Sequence, residues 1–427
     1  MGTDPRLRHL WRPYTQMQTE APPLEAVATE GARIRLADGR WLIDGIASWW
    51  TACHGYNHPH IIAAMQAQLQ VMPHVMFGGL THEPALRLGA RLAAILPGAG
   101  TDAALSHLFF CDSGSVAVEI ALKIAVQSWR NRGEAGRNRI LAFRHAYHGD
   151  TMGAMSVCDP EDGMHALFRS YFPEQVIVDL PRGRQAVADF ELLLARRRAG
   201  IAAVIVEPLV QAAGGMKFHD AETLAGIRQA CARHGVPFIA DEVATGFGRT
   251  GTMFACAAAG VVPDIICIGK ALSGGAIGLA AVAANAEVFG AFLSDDAGAA
   301  LMHGPTYMAS PLACAAANAS LDLFEDGERL RQAAALEEHF RGALEPCRAL
   351  DGVADIRAKG AIGVVQMAAP RAIGWLRRRF VEEGVWVRPF GDVVYLMPPL
   401  NVTADERGAL TDALVAVVTE WSEGAGV

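Results

Sequence analysis

Pro237-Phe238-Ile239-Ala240-Asp241-Glu242-Val243-Ala244-Thr245-Gly246-Phe247-Gly248-Arg249-Thr250-Gly251 and, a little further on, Ile265-Ile266-Cys267-Ile268-Gly269-Lys270 are the stretches on which the reading of this chain turns. Each opens as an apolar run of strand length and ends on a charge, a carboxylate at Asp241 and an amine at Lys270. Two buried strands therefore deliver one acid and one amine. The chain holds only four lysines, Lys123, Lys217, Lys270 and Lys359, so an amine at a strand tip is an unusual choice here. A desolvated lysine can have its pKa lowered to about 7–8, which leaves enough neutral amine to add to a carbonyl; arginine stays protonated. The plainer reading is a lysine whose stem snorkels from a strand end.

Working outward, short apolar runs alternate with longer amphipathic segments from about residue 105 to 285, the pattern of a mainly parallel sheet. Strands are expected at His107 to Cys111, Ile140 to Phe143, Val176 to Val178, Ala202 to Val206, Pro237 to Ala240, Ile265 to Ile268 and Gly278 to Ala283. Val116 to Trp129 and Ala221 to His234 are long enough to cross back over that sheet as helices. Ala32 to Leu36 and Trp41 to Asp44 bracket Asp38-Gly39, a hairpin signal. Beyond Pro311 an Ala-rich helix leads to short strands at Ala361 to Met367, Val385 to Arg388 and Val393 to Met397. The expected organisation is α/β: a large domain over 53–310 and a smaller α+β domain built from both chain ends, 1–52 and 311–427.

Composition excludes several classes of function. With 427 residues and 52% hydrophobic side chains a sizeable core is available, yet no 18-residue stretch runs free of charge or turn signals, so no membrane span is expected. No apolar segment follows the N-terminus as a secretory signal would require. Eight cysteines stand singly without a C-x-x-C pair, as reduced core residues of a cytoplasmic protein would. A formal net charge of -8 without a basic block argues against nucleic acid, and Arg196-Arg197-Arg198 is read as a solvated helix end.

Gly246-Phe247-Gly248-Arg249-Thr250-Gly251 matches the dinucleotide pattern G-x-G-x-x-G. With 44 glycines such a match arises by chance roughly 0.4 to 0.5 times in a chain of this length, and Asp241 to Thr245 separate it from its strand. Asp112-Ser113-Gly114-Ser115, between a strand and a helix, is a better anion seat: free amides and the positive helix end face a phosphate there, although an ordinary N-cap explains the same residues. His54, His58 and His60 suggest a metal site, but Pro59 breaks any helix through them and no acidic partner has the spacing, so no metal is expected. Asp241 and Glu242 are neighbours that an extended backbone points to opposite faces, a poor acid/base pair. Lys270, Asp241 and the Ser-Gly-Ser helix start together meet the needs of pyridoxal 5'-phosphate. Lys270 would hold the aldehyde and shuttle a proton; Asp241 would keep the pyridine nitrogen protonated. Gly114 and Ser115 would seat the phosphate, and Tyr147 could stack on the ring.

At this point the two opening stretches resemble the signature of the class III, fold type I pyridoxal-phosphate aminotransferases. The resemblance implies a mainly parallel seven-stranded sheet in the large domain. Ala244 stands where many members carry a glutamine that helps hold the cofactor's phenolic oxygen, which implies a subgroup. His9-Leu10-Trp11-Arg12-Pro13-Tyr14-Thr15, Ser48-Trp49-Trp50, His54-Gly55-Tyr56-Asn57-His58-Pro59, His74-Val75-Met76-Phe77-Gly78-Gly79, Met302-His303-Gly304-Pro305-Thr306-Tyr307 and Val387-Arg388-Pro389-Phe390 resemble the branch that serves biotin biosynthesis. That branch transfers the amino group of S-adenosylmethionine to 8-amino-7-oxononanoate. The resemblance further implies that Pro305 and Thr306 reach the phosphate of the other subunit of a homodimer. It implies that Tyr14, Trp49, Tyr147 and Gly304 meet substrate, and that Arg388 binds the oxononanoate carboxylate. Rival readings are a class III transaminase that takes an ω-amino acid, lysine or ornithine, a mutase or decarboxylase on the same fold, and a non-catalytic cofactor-binding protein.

Overall fold

All seven apolar runs become strands of one sheet, in the order His107–Cys111, Ala280–Ala284, Ile265–Ile268, Phe238–Asp241, Ile201–Val206, Arg139–Phe143 and Val176–Val178. The computed structural model describes residues 5–161, 166–368 and 372–425; Met1 to Asp4, the start of the N-terminal segment read for a signal, lie outside the described residues. Neighbours are parallel from Ile265–Ile268 across to Val176–Val178. Ala280–Ala284 runs antiparallel to both of its neighbours. The chain between Ile268 and Ala280 holds only the one-turn segment Lys270–Ser273, with no helix to carry it back across the sheet, so the strand returns in the opposite sense.

Helices cover the sheet because their apolar residues recur at helical spacing. In Gly114–Asn131, Ala117, Ile120, Ala121, Ile124 and Ala125 are buried, and the helix packs on the strands Ile201–Val206, Ile265–Ile268 and Ala280–Ala284. Fully burying each isoleucine there contributes about 1.5–3 kcal/mol. Ala221–Arg233 is N-capped by Asp220, whose carboxylate accepts from Thr223 N at 2.7 Å.

The chain ends meet in a second sheet. Ala26–Glu30, Arg33–Leu36 and Trp41–Asp44 form an antiparallel meander, and Val385–Trp386 joins it in parallel beside Trp41–Asp44. Val353–Lys359, Ile362–Met367 and Val393–Leu396 make a third, antiparallel sheet. All eight cysteines are buried and free. Among the described residues no helix is long and apolar enough to cross a membrane, and no cluster of His, Cys, Asp and Glu could hold a metal ion. His54 bonds Ser320 and Arg329, whereas His60 bonds Asp322.

Gly360 ties the third sheet to the Gly246–Gly251 loop. Its φ is +55°, and a Cβ there would fall 2.3 Å from Gly251 N and 2.6 Å from Arg249 O, while Ala361 N donates to Arg249 O at 3.0 Å. Gly384 has φ +78° in open space. Gly384→Ala is therefore expected to cost about 1 kcal/mol, the left-handed penalty alone. Gly360→Ala should cost at least about twice that, since backbone must also move, and chemical-denaturation midpoints of the two variants check the difference.

Candidate active site

Lys270 follows its strand after one glycine and has φ +46°, a conformation that residues with side chains rarely adopt. Its Nζ lies 4.2 Å from the ring centroid of Trp50. Burial brings its pKa down to about 8, against the pull of Asp241, Glu207 and Asp150, which raise it. A usable fraction of the amine is thus neutral near pH 7–8. Trp50 reaches it from a left-handed turn, Ala47 to Trp50, with φ of 47°, 52°, 60° and 72°. Each such residue costs roughly 1–2 kcal/mol.

Asp241 ends the adjacent strand, paired in register with Cys267. Its Oδ2 accepts from His148 Nδ1 at 2.7 Å and its Oδ1 from Val243 N at 3.1 Å. His148 is itself buried, and its Nε2 has no hydrogen-bond partner among the described residues. Glu242 turns the other way: its carboxylate accepts from Thr245 Oγ1, Ala255 N and Cys256 N. Glu207, directly after the strand Ile201–Val206, is buried; it accepts from Tyr147 N at 3.0 Å and Ala212 N at 2.9 Å. Burial raises its pKa to about 7; His148 and the two amides lower it and Asp241 raises it.

The helix start lies against these groups. Ser113 Oγ accepts from Val116 N at 3.5 Å, so Gly114 and Ser115 occupy the first positions, whose amides have no carbonyl to bond within the helix. Gly114 is needed for the approach, since a Cβ would fall 2.6 Å from Val243 Cγ1. Ser115 Oγ accepts from Asp150 N at 3.1 Å. Tyr14 OH donates to Asp150 Oδ2 and lies 3.3 Å from Tyr147 OH. Burial pushes the Tyr14 phenol up to about 12 and Tyr147 higher still. Trp49, 45% exposed, sets its ring edge to face with that of Tyr14 at 6.0 Å.

Lys270, Asp241, Gly114, Ser115 and Tyr147 wall one cavity of about 130 Å³ together with Trp50, His148, Glu207 and Ala244. An amine that can be neutral, a buttressed carboxylate and a helix N-terminus on one cavity fit pyridoxal phosphate. The cavity walls do not include Trp49, Gly304, Pro305, Thr306 or Arg388. Gly304 and Thr306 are exposed and Pro305 is half-buried. Arg388 is half-buried with its guanidinium 5.6 Å from the Trp386 ring, and burial, then Arg377, lowers its pKa. Sequence reasoning missed His148 and Glu207, and it missed the place of Trp50 over Lys270. Glu207 carries the signal used for Asp241, an apolar run that ends on a carboxylate.

Comparison with known proteins agrees with this chemistry. The profile of the family Aminotransferase class-III matches residues 14–418. The chain belongs to the class-III aminotransferase family. Among similar relatives of this aminotransferase is the adenosylmethionine-8-amino-7-oxononanoate aminotransferase of Corynebacterium glutamicum, 43% identical over 422 residues, 96% of this chain and 97% of the relative. The enzyme of that name from Mycobacterium leprae is 44% identical over 418 residues, 96% and 94% of the two chains. A crystal structure of the enzyme of that name from Methanocaldococcus jannaschii superposes with a TM-score of 0.91 at 31% identity, covering 97% of this chain and 98% of the other. The aminotransferase is thus a pyridoxal-phosphate-dependent enzyme by family.

Two pH dependences follow for the aminotransferase. Before cofactor is added, labelling of Lys270 by an amine reagent, mapped by mass spectrometry, should rise about tenfold per pH unit and level off above about 8; ordinary lysines level off near 10.4. Glu207 has its folded pKa raised from 4.5 to about 7, so its contribution to stability is full below 4.5 and is lost as pH rises through 7. The stability of the wild type relative to Glu207→Gln should therefore fall between pH 4.5 and 7 and stay flat above, as read by denaturant titration.

Proposed function

We propose that this chain transfers the amino group of S-adenosylmethionine to 8-amino-7-oxononanoate, giving 7,8-diaminononanoate for biotin biosynthesis, in two alternating half-reactions. The observation that carries the transaminase chemistry is the meeting of Lys270 and Asp241 on one cavity. The substrate pair rests on the name shared by relatives at 43% and 44% identity over nearly the whole chain.

The cofactor, when bound, supplies an aldehyde that accepts amines and a protonated pyridine ring that withdraws electrons. Lys270 Nζ would anchor it and would carry the proton to and from the amino-bearing carbon of the substrate; a pKa near 8 suits both tasks. Asp241, oriented by His148, would keep the pyridine nitrogen protonated. Tyr147 would hold the ring, and the Gly114 and Ser115 amides would hold the phosphate.

Tyr14 and Trp49, edge to face at 6.0 Å, form the outer wall that an aliphatic chain or a nucleoside would meet, with Gly304 at the substrate. Arg388 takes the oxononanoate carboxylate in its two-pronged guanidinium. Pro305 and Thr306 serve the phosphate of a second copy. The exposure of Met302 and Tyr307, 73% and 60%, on either side of that segment supports a homodimer with shared sites. The domain division at 52/53 and 310/311 and a cytoplasmic location belong to the same proposal.

The visible spectrum of the cofactor-loaded protein tests the reading. The absorption band should bleach on addition of S-adenosylmethionine and return with 8-amino-7-oxononanoate. Bleaching by lysine or an ω-amino acid but not by S-adenosylmethionine would keep the transaminase and discard the donor. Arg388→Lys should raise the KM for the oxononanoate about tenfold or more with the donor half-reaction nearly unchanged, because a point charge replaces a fork.

A further inference from the structure

The left-handed turn Ala47 to Trp50 is built without glycine, and the structure around it over-determines its shape. Asp44, whose side chain is buried, accepts from Ile46 N at 2.9 Å through Oδ1, and from Ser48 N at 2.8 Å and Tyr56 OH at 2.6 Å through Oδ2. Trp50 N and Thr51 N close the turn on the carbonyls of Ile46 and Ala47 at 2.8 and 2.9 Å. Arg249 Nη2 donates to Trp50 O at 3.2 Å, and Trp50 Nε1 donates to Tyr395 OH at 3.3 Å.

A chain reversal alone does not need this hand. Reversing the hand of the turn would send the Trp50 side chain elsewhere, whereas the observed turn places the indole face 4.2 Å from Lys270 Nζ. There the ring covers one side of the amine. Strain held in place at a site is a reason to look for what it positions.

We infer that Asp44 and Tyr56 are positioning residues that act through Trp50: by holding the left-handed turn they seat the indole on the Lys270 amine and keep it dry. This rests on the role proposed above for Lys270. The charged groups that face the amine are Asp241, Glu207, Asp150 and Arg249, and none of them belongs to the turn. Loss of the indole from its seat changes hydration of the amine without removing any of those charges.

The test uses the full-length chain with Asp44→Asn, Tyr56→Phe and Trp50→Ala, singly, and the double variant Asp44→Asn with Trp50→Ala. Labelling of each lysine at pH 7 is mapped by mass spectrometry, with Lys123, Lys217 and Lys359 as internal controls. Labelling of Lys270 should fall about three- to tenfold in Asp44→Asn, the neutral fraction lost when its midpoint rises by about half to one pH unit, and by a smaller factor in Tyr56→Phe. The double variant should match Trp50→Ala, because Asp44 has nothing further to act on once the indole is gone. Unchanged Lys270 labelling in a folded Asp44→Asn, or effects that multiply in the double variant, would overturn the inference. If Asp44→Asn does not fold, Tyr56→Phe decides: labelling equal to wild type refutes the idea. A wild type that gains no visible band on addition of pyridoxal phosphate would instead refute the role of Lys270.

Discussion

Burial of the Lys270 amine, with Trp50 over it and Asp241 and Glu207 in the same cavity, is the condition that the other parts of the site serve. An ammonium in that place would be drawn to three carboxylates, Asp241, Glu207 and Asp150, yet burial outweighs them and the pKa falls to about 8. The same burial lifts Glu207 to about 7, so near neutral pH both groups stand close to a change of charge. Asp241 is treated differently. His148 and the Val243 amide both bond its carboxylate, which fixes its orientation toward the cavity.

The parallel sheet is what brings these groups to one edge. Strands that run the same way end at the same side, so Asp241, Glu207 and, after one glycine, Lys270 project from successive strand ends. Close contacts then fix the distances. Gly114 lets the helix start lie on Val243, and Gly149, at φ +128°, lets the Tyr147 segment lie on Ser115, where a Cβ would fall 2.3 Å from Oγ. Parts from both chain ends support the wall: Asp44, at the end of a strand of the second sheet, bonds the turn that carries Trp50, and the Pro398 carbonyl accepts from the buried Arg249 at 2.5 Å.

Apolar runs made the central sheet legible in sequence, because a strand buried on both faces needs no alternation to be recognised; Ile201–Val206 is buried at every position. Strands with mixed exposure left weaker traces. Val353–Lys359 alternates with Asp355, Arg357 and Lys359, and Ala26–Glu30 is almost wholly exposed, so neither stands out as a run. In the site, Lys270 and Asp241 were readable as charges that end apolar strands. His148 was not, because its partner lies 93 residues away. The place of Trp50 over Lys270 was hidden for another reason: Ala-Ser-Trp-Trp carries no glycine to announce a left-handed turn, and the hand of that turn decides which tryptophan faces the cavity.

The central claim is that Lys270, among four lysines, is the residue to which the cofactor bonds. Borohydride reduction of the pyridoxal-phosphate-loaded protein, followed by proteolysis and mass spectrometry, locates that bond directly. The account predicts the pyridoxyl mass on the peptide that contains Lys270, at about one per chain, with Lys123, Lys217 and Lys359 unmodified. A label on one of those three instead, or no stable label on any lysine, would contradict it.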